Sequence, residues 1–536
     1  MAVINSNIND EQKTKKEEMV FSPVKKITGL KTKLVCFICI AMSVYHLYVA
    51  SVGIKEALRF RIVHLFFALI IIFLQYPFLI KEYDDKIKNV RIHFLNQIIE
   101  IMLLILVVIT CGYLLMQYDV IIWRSPYIFP LTFVERILAI VAILLVFEAT
   151  RRTVGLPLVI LATFFIAYVF FGAYLPGIFK IKAISLDLFL EHLYLLPEGI
   201  FGSPVQVSAT YVFLFILFGS FLEYTNTSKF FIDLSLSLTG GVEGGPAKVA
   251  VVASALFGTL SGSAVANTLT TGSLTIPLMK KVGYKSEFAG AVEAAASTGG
   301  QLMPPVMGSA AFLMADFTGI PYFRICLAAL IPSILFYFSI FLQVDLRAKK
   351  DKLGKAPRET LPNLKKTLIW GSHMLIPIIF LIFMLVKRYT PYYSVFYTIL
   401  LICAISMLRV ETRLNSKKIS LALEKGAKNA VSIAAALSCA GIIVGISGLT
   451  GLGLKFTTII LRVSDGNLTI ALLLVMIVAT IPCSIFASSN FWCSCFNKTR
   501  CFGINGSHVL SLLCCSFGNY SSCSYGCIRC LFNKRR

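Results

Sequence analysis

Residues able to do chemistry collect between positions 240 and 319, where glycine, alanine, serine and threonine replace leucine and phenylalanine. One block reads Gly258-Thr259-Leu260-Ser261-Gly262-Ser263-Ala264-Val265-Ala266-Asn267, and Thr270-Thr271-Gly272-Ser273 follows it. A later block reads Ser297-Thr298-Gly299-Gly300-Gln301-Leu302-Met303-Pro304-Pro305-Val306-Met307-Gly308. Ser261, Ser263 and Asn267 supply side-chain oxygens suited to a hairpin tip, with Gly262 between the two serines. Gly299 and Gly300, ahead of Gln301, permit unusual backbone angles. Pro304 and Pro305 each remove a donor and break a helix. Interrupted helices expose carbonyls and half-helix ends, and in a membrane such groups coordinate Na⁺ and anionic substrate. The expected chemistry is cation and substrate binding, with no transition-metal site. The competing account is close helix packing through small residues. It covers glycine and alanine well, but not a Pro-Pro pair after Gly-Gly-Gln in apolar surroundings.

The elements that must position these residues are membrane helices. Of 536 residues, 57% are hydrophobic and 14% charged, against about half and about a quarter in an ordinary soluble protein. The runs 34–52, 62–80 and 98–115 are nearly free of ionisable groups. At about 1.5 Å per residue, each crosses a hydrocarbon layer of about 30 Å. Further crossings are expected at 133–149, 156–175, 204–224, 323–343, 368–386, 391–409, 430–450 and 467–482. The segment 186–196 is too short to cross and is expected along the interface. Glu135, Arg136 and Glu148 lie within or at the ends of the fourth crossing, where charges usually face protein and snorkelling from a helix end is at least as well expected. The fold class that follows is all-α and polytopic. Non-helical backbone at membrane depth must be buried in protein or line a cavity, which makes the 258–308 region a pair of re-entrant hairpins.

The net charge of +23 does not imply a nucleic-acid partner. Basic residues fall in the short connections 13–33, 81–91, 151–152 and 349–366, the pattern that orients helices by their cytoplasmic loops. The N-terminus is therefore expected in the cytoplasm. The first apolar run starts at Leu34 and is too long for a signal peptide. Four stretches result: a tail at 1–33, a four-helix membrane unit at 34–150, a transport unit at 151–482 and a cysteine-rich tail at 483–536. An internal repeat is visible as Gly219, Lys229, Phe230 and Gly240, which recur as Gly445, Lys455, Phe456 and Gly466. Inverted repeats are the usual build of secondary transporters. The histidines at 46, 64, 93, 192, 373 and 508 form no His-Glu-x-x-His pattern, and there is no P-loop. An enzyme is not expected. An ion channel or a structural membrane subunit remain as alternatives to a carrier.

With Gly244-Gly245-Pro246-Ala247-Lys248, the block from Ser261 to Asn267 and the block from Gly299 to Gly308 in this order, the sequence resembles the fused permease of tripartite ATP-independent periplasmic (TRAP) transporters, of the kind that works with TAXI-type binding proteins. The resemblance extends to about residue 482. It implies an elevator-type, Na⁺-coupled importer of small organic anions (carboxylates) in the cell inner membrane, supplied by an extracytoplasmic solute-binding protein. The first four helices resemble a small subunit fused to the large one. Na⁺ is implied at the hairpin tips as coupling ion, with no other cofactor.

The sequence departs from this family after Pro482. The second repeat should carry a Gly-Met-Gly-Leu-Pro-Thr-Thr-type tip and a Thr-Pro-Pro-Val-Ala tip, and neither is present. Six cysteines fall in 1–482 and nine in 483–536. Permitted codons for Tyr520 to Cys530, read one base later, give Ile-Pro-Pro-Val-Ala-Met-Ala-Ala-Tyr-Ala. Those for Asn497 to Phe502 give Ile-Lys-Leu-Gly-Val. A shifted reading frame is expected, leaving half of the cation site missing and the product inactive. Cys523, Cys527 and Cys530 contain one Cys-x-x-Cys pair without a second at zinc spacing; Cys493 and Cys495 are a single residue apart. Cys36 and Cys39 are expected as lipid-facing or packed thiols.

Overall fold

A computed structural model describes residues 29–78, 90–351, 353–355 and 361–465, with a few further positions between 467 and 475. Most of the N-terminal tail, the cysteine-rich stretch 483–536 and Gly466 lie outside the described residues, and the crossing at 467–482 is described only at isolated positions.

Every regular element among the described residues is helical. The chain opens with α1 (Leu30–Val52), α2 (Ala57–Gln75), α3 (Val90–Met116), the short α4 (Tyr118–Trp123) and α5 (Phe133–Thr153). Next come α6 (Leu156–Phe171), α7 (Leu186–Tyr194), α8 (Ser203–Val207) and α9 (Phe213–Tyr224). The glycine-rich region supplies α10 (Thr227–Thr239), α11 (Gly245–Ser261), α12 (Ala264–Lys281), α13 (Ser286–Gly299) and α14 (Ser309–Thr318). The remainder is α15 (Tyr322–Lys350), α16 (Leu364–Gly371), α17 (Leu375–Val386), α18 (Pro391–Ser406), α19 (Ser416–Thr450) and α20 (Leu452–Ser464). Eight described helices or helix pairs are long and apolar enough to cross a membrane. The protein is an all-α polytopic membrane protein.

Two expectations are corrected in detail. The segment around α7 does not lie along a surface, since each residue from Phe189 to Tyr194 is buried. Tyr194 donates to Thr110 O at 2.8 Å, and His192 Nε2 lies 2.9 Å from Gly445 O. Its strong amphipathicity faces protein. Glu135 does not snorkel either. It closes a capping box with Thr132 at the start of α5 and meets Arg124 at 3.0 Å, while Arg124 also lies 3.6 Å from the buried Glu191.

The long α19 runs through the middle. Small residues on it let neighbouring backbones come close: a side chain at Gly441 or Gly445 would meet the carbonyls of Gly199 and Glu198, and one at Gly426 would meet Leu217. Helices α1, α2, α5, α6 and α9 all pack against it. They share one apolar core that includes Cys39, Ile72, Phe218, Ala434 and Ile446. Cys36 is half-buried and donates to Glu424 at 3.1 Å. A chain of imidazoles crosses the same region. His46 Nδ1 is 2.7 Å from Met42 O and must donate to it, so His46 Nε2 accepts from His64 Nδ1 at 2.8 Å. His64 Nε2 then accepts from Ser208 Oγ at 3.0 Å. Ser208 starts the π-helical turn Ser208–Val212 that joins α8 to α9. A second, separate core belongs to the glycine-rich region: Ala250, Met279, Val292, Ala296, Tyr337 and Ile340 join α11, α12, α13 and α15.

Candidate functional site

Both interruptions expected from the sequence are present. The helix α11 stops at Ser261 because Gly262 takes a left-handed conformation, φ 56°. Its Cβ position would fall 2.6 Å from Met307 O, so only glycine fits. Ser263 is extended and caps α12, accepting from Ala266 N at 3.4 Å. Helices α11 and α12 thus form a hairpin whose tip is Ser261, Gly262 and Ser263, all half-buried. The second interruption separates α13 from α14. Helix geometry ends at Gly299, turn bonds carry the chain through Gln301 to Leu302, and Pro304 and Pro305 then follow without helical bonding until Ser309. The Pro304–Pro305 peptide is cis. Gly308 N donates to Gln301 O at 2.9 Å and closes the loop on itself.

The two interruptions touch. Val306 N donates to Thr259 O at 3.3 Å, and Met307 O stands over Gly262. A Cβ on Gly258 would lie 2.4 Å from Gly300 Cα, so the backbones of α11 and α13 meet without side chains between them. Gly299 is held bare by Phe336 and Tyr337 of α15. Two helix C-termini, at Ser261 and Gly299, and two N-termini, at Ala264 and Ser309, therefore converge. The last carbonyls of a helix lack intrahelical partners and carry partial negative charge, while the first N–H groups carry partial positive charge. Several of these carbonyls accept turn bonds, Thr259 O from Val306 N and Gly299 O from Leu302 N, and the region gathers the partial charges of four helix ends.

Sequence reasoning brought together Ser261, Gly262, Ser263, Gly299, Gly300, Gln301, Pro304 and Pro305, and the structure places all of them at this junction. Asn267 sits one turn further along α12 and acts as a strut. Its fully buried Nδ2 donates to Ser254 O at 2.9 Å and reaches Ser297 O at 3.5 Å, and its Oδ1 accepts from Thr271 Oγ1 at 3.3 Å. Other residues escaped the sequence reading. Tyr322 Oη donates to Pro305 O at 2.8 Å and accepts from Met307 N at 3.5 Å, fastening the second loop from α15. Lys248 pairs with Asp345 at 2.5 Å and ties the start of α11 to the end of α15. Glu293, on α13, is fully buried among the hydroxyls of Ser254, Thr271, Thr275 and Ser297. Its signal in the sequence was a lone carboxylate in the uncharged stretch between Glu287 and Asp316.

The repeat has a structural counterpart at its described positions. Gly219 lies in α9 just ahead of the turn into α10, and Gly445 lies in α19 just ahead of the turn into α20. Both turns carry a left-handed residue, Asn226 at φ 63° and Gly451 at φ 64°. Lys229–Phe230 and Lys455–Phe456 each fall in the first turn of the helix that follows.

Parts of this chain are similar to known proteins. The large permease protein DctM of a C4-dicarboxylate TRAP transporter from Pseudomonas aeruginosa is 30% identical over 169 residues, which is 31% of this chain and 39% of that one. The large permease protein YiaN of a 2,3-diketo-L-gulonate TRAP transporter from Escherichia coli is 26% identical over 158 residues, covering 29% and 36%. The sialic acid TRAP transporter permease protein SiaT from Haemophilus influenzae is 29% identical over 160 residues, covering 29% and 26%. In each case the match spans well under two thirds of the relative's own length. The family model described as "Tripartite ATP-independent periplasmic transporter, DctM component" matches residues 141–489, more than half of the 536 and inclusive of both interrupted segments. The chain belongs to the DctM family of TRAP transporter permeases.

Proposed function

We propose that this chain is the permease of a secondary carrier that imports small organic anions, carboxylates foremost, in step with Na⁺. The observation that carries the reading is the contact between the two interrupted segments, which brings two helix C-termini and two helix N-termini to one place. Hydroxyl and carbonyl oxygens are hard donors that fit Na⁺, with Ser261, Ser263 and the backbone around Gly262, Gly299 and Gly300 as its holders, Asn267 bracing them. The N-terminal ends at Ala264 and Ser309 would face a carboxylate. The separate core of α11, α12, α13 and α15 favours an elevator, because a unit with its own apolar interior can shift without unpacking the rest. The relatives' printed names, C4-dicarboxylate, 2,3-diketo-L-gulonate and sialic acid, support an organic acid as cargo. On the resemblance of its motifs, the partner is a TAXI-type extracytoplasmic binding protein. The setting is the cell inner membrane, on the resemblance of its motifs, and the basic connections support an N-terminus in the cytoplasm.

The second half of the site belongs to a repeat whose tip motifs are missing after Pro482. We read the stretch from 483 onward as out of frame and this product as unable to transport. The test uses vesicles that carry either this chain or a version with the frame restored after codon 482, each with its binding protein. Saturable uptake that follows an imposed Na⁺ gradient is expected from the restored version alone. Non-saturating flux from it would favour a channel, and Na⁺-driven uptake by the unrestored chain would remove the inactivity reading.

A further inference from the structure

Helix α13 carries a carboxylate that pairs with no basic side chain among the described residues. Other buried carboxylates among the described residues have a basic partner: Glu135 has Arg124 at 3.0 Å, Glu191 has the same arginine at 3.6 Å, and Glu100 has Lys31 at 3.5 Å. Glu293, with no exposed surface, has hydroxyls instead. Its Oε1 faces Ser254 and Ser297, each at 3.2 Å, and Thr271; its Oε2 faces Thr275 at 2.5 Å. The charged groups of the surrounding elements are engaged elsewhere or lie at helix ends. On α11, Lys248 pairs with Asp345 of α15; on α15, Lys349 also takes Asp345 and Arg347 takes Asp351. Lys280 and Lys281 stand at the last turn of α12, and Glu287 at the first turn of α13. The remaining titratable neighbour is Tyr337, which donates to Ser254 O at 3.4 Å.

We propose that Glu293 is a proton-binding site that keeps the hairpin closed on α13. A bare carboxylate without a counter-charge in this position keeps a large desolvation penalty even after relaxation. The four hydroxyls offset only part of that, since two of them are drawn to other acceptors. Thr271 Oγ1 lies 2.8 Å from Asn267 O, and Thr275 Oγ1 lies 3.0 Å from Thr271 O. A proton on Oε2 completes the set. Glu293 then donates to Thr275, Thr275 donates to Thr271 O, and Oε1 accepts from Thr271, Ser254 and Ser297, with no net charge. Thr271 and Ser254 also hold Asn267, so the protonation state of Glu293 is joined to the strut that braces the hairpin. The packed arrangement binds the proton more tightly than any arrangement in which Glu293 meets water. Raising the pH therefore opens the seam between α12 and α13.

This inference does not rest on the sodium reading, and its test is run on the full chain in sodium-free buffer. Infrared difference spectra compare the native chain with Glu293→Gln at neutral pH. The glutamine chain is expected to lack one protonated-acid C=O band. Loss of a carboxylate band instead, or of no band, overturns the proposal. Amide hydrogen exchange across α12 and α13, corrected for intrinsic rates, is expected to quicken several-fold from pH 6 to pH 9 in the native chain and to stay flat in Glu293→Gln. A flat native profile, or a variant that tracks the native one, also overturns it. Should the variant not fold, the native chain alone decides the matter: its acid band must fade as seam exchange rises, and a band that persists refutes the site.

Discussion

The contact between Gly258 and Gly300 can be tested by adding one methyl group. In Gly258→Ala the new Cβ would stand 2.4 Å from Gly300 Cα and 3.3 Å from Tyr337 Oη. Backbone cannot rotate away as a side chain can, so α11 and α13 must part by about 1 Å to restore an ordinary contact, an overpacking cost of about 1–3 kcal/mol. Alanine returns about 1 kcal/mol through its better helix propensity, which leaves a net loss of roughly 0–2 kcal/mol. Two control glycines calibrate this. Gly112 in α3 and Gly448 in α19 have nothing within 4 Å of their Cβ positions, so alanine there should raise stability by about 0.5–1 kcal/mol through chain entropy. The assay is the midpoint of thermal unfolding of the purified chain, with hydrogen exchange in residues 255–308 as a local readout. Gly258→Ala is expected below the native midpoint with faster exchange around the hairpin tip, and both controls at or above it. If Gly258→Ala proves as benign as Gly112→Ala, the two backbones are not in contact and the convergence of helix ends at that junction fails with it.

Further outcomes follow from other contacts. Arg124→Ala strands two buried carboxylates, Glu135 and Glu191, and should cost about 3 kcal/mol; adding Glu135→Gln and Glu191→Gln should recover much of the loss, and no recovery would mean that the charges were not the cause. Tyr322→Phe deletes the hydroxyl between Pro305 O and Met307 N and should cost about 1–3 kcal/mol, seen as faster exchange in residues 301–308 while α1 to α5 stay unchanged. Asn267→Asp removes both amide donations and adds a buried carboxyl, so the midpoint should fall at neutral pH and recover in part as pH is lowered and the new acid becomes neutral; an equal loss at every pH would contradict this. Gly371→Ala drives a methyl into the buried ring of Phe230, 1.9 Å from Cδ2, and should be the most damaging of these glycine substitutions; trimming the ring by Phe230→Leu in the same chain should relieve it.

The sequence made the interruptions legible because glycine, proline and hydroxyl residues have few other reasons to cluster inside an apolar chain. Gly262 and the loop around Pro304 and Pro305 broke the helices where their residue types require it. The crossings were readable for the same reason that makes them stable, since length and lack of charge satisfy a bilayer. What remained hidden depended on tertiary neighbours. Helix α7 has the alternation of an interfacial segment, and nothing local says that its apolar side meets Gly445 rather than lipid. The helical stretch before residue 430, which makes α19 so long, was masked by its lysines. The group around Glu293 draws Ser254 from α11, Thr271 and Thr275 from α12, and Ser297 from α13. Each spacing of four within one helix looks like an ordinary hydroxyl leaning on a backbone carbonyl, and only the packing of three helices turns them toward a single acid. The role of Asn267 shifted for the same reason. Its residue type signals an oxygen ligand, but its neighbours recruit it as a crosslink.

The length of α19 has a mechanical consequence. Its 35 residues make a rod of roughly 52 Å at about 1.5 Å per residue, against a hydrocarbon layer of about 30 Å. Lys417, Lys418, Lys425 and Lys428 stud its first four turns, so the surplus projects on the side where those charges are welcome. A rod gripped from Ala422 onward, with Ser416 to Leu421 projecting, behaves as a lever. Tilting it by about 5° around its midpoint sweeps that end through roughly 2 Å, so a spectroscopic label near Ser416 would magnify rearrangements that are barely measurable at the grip.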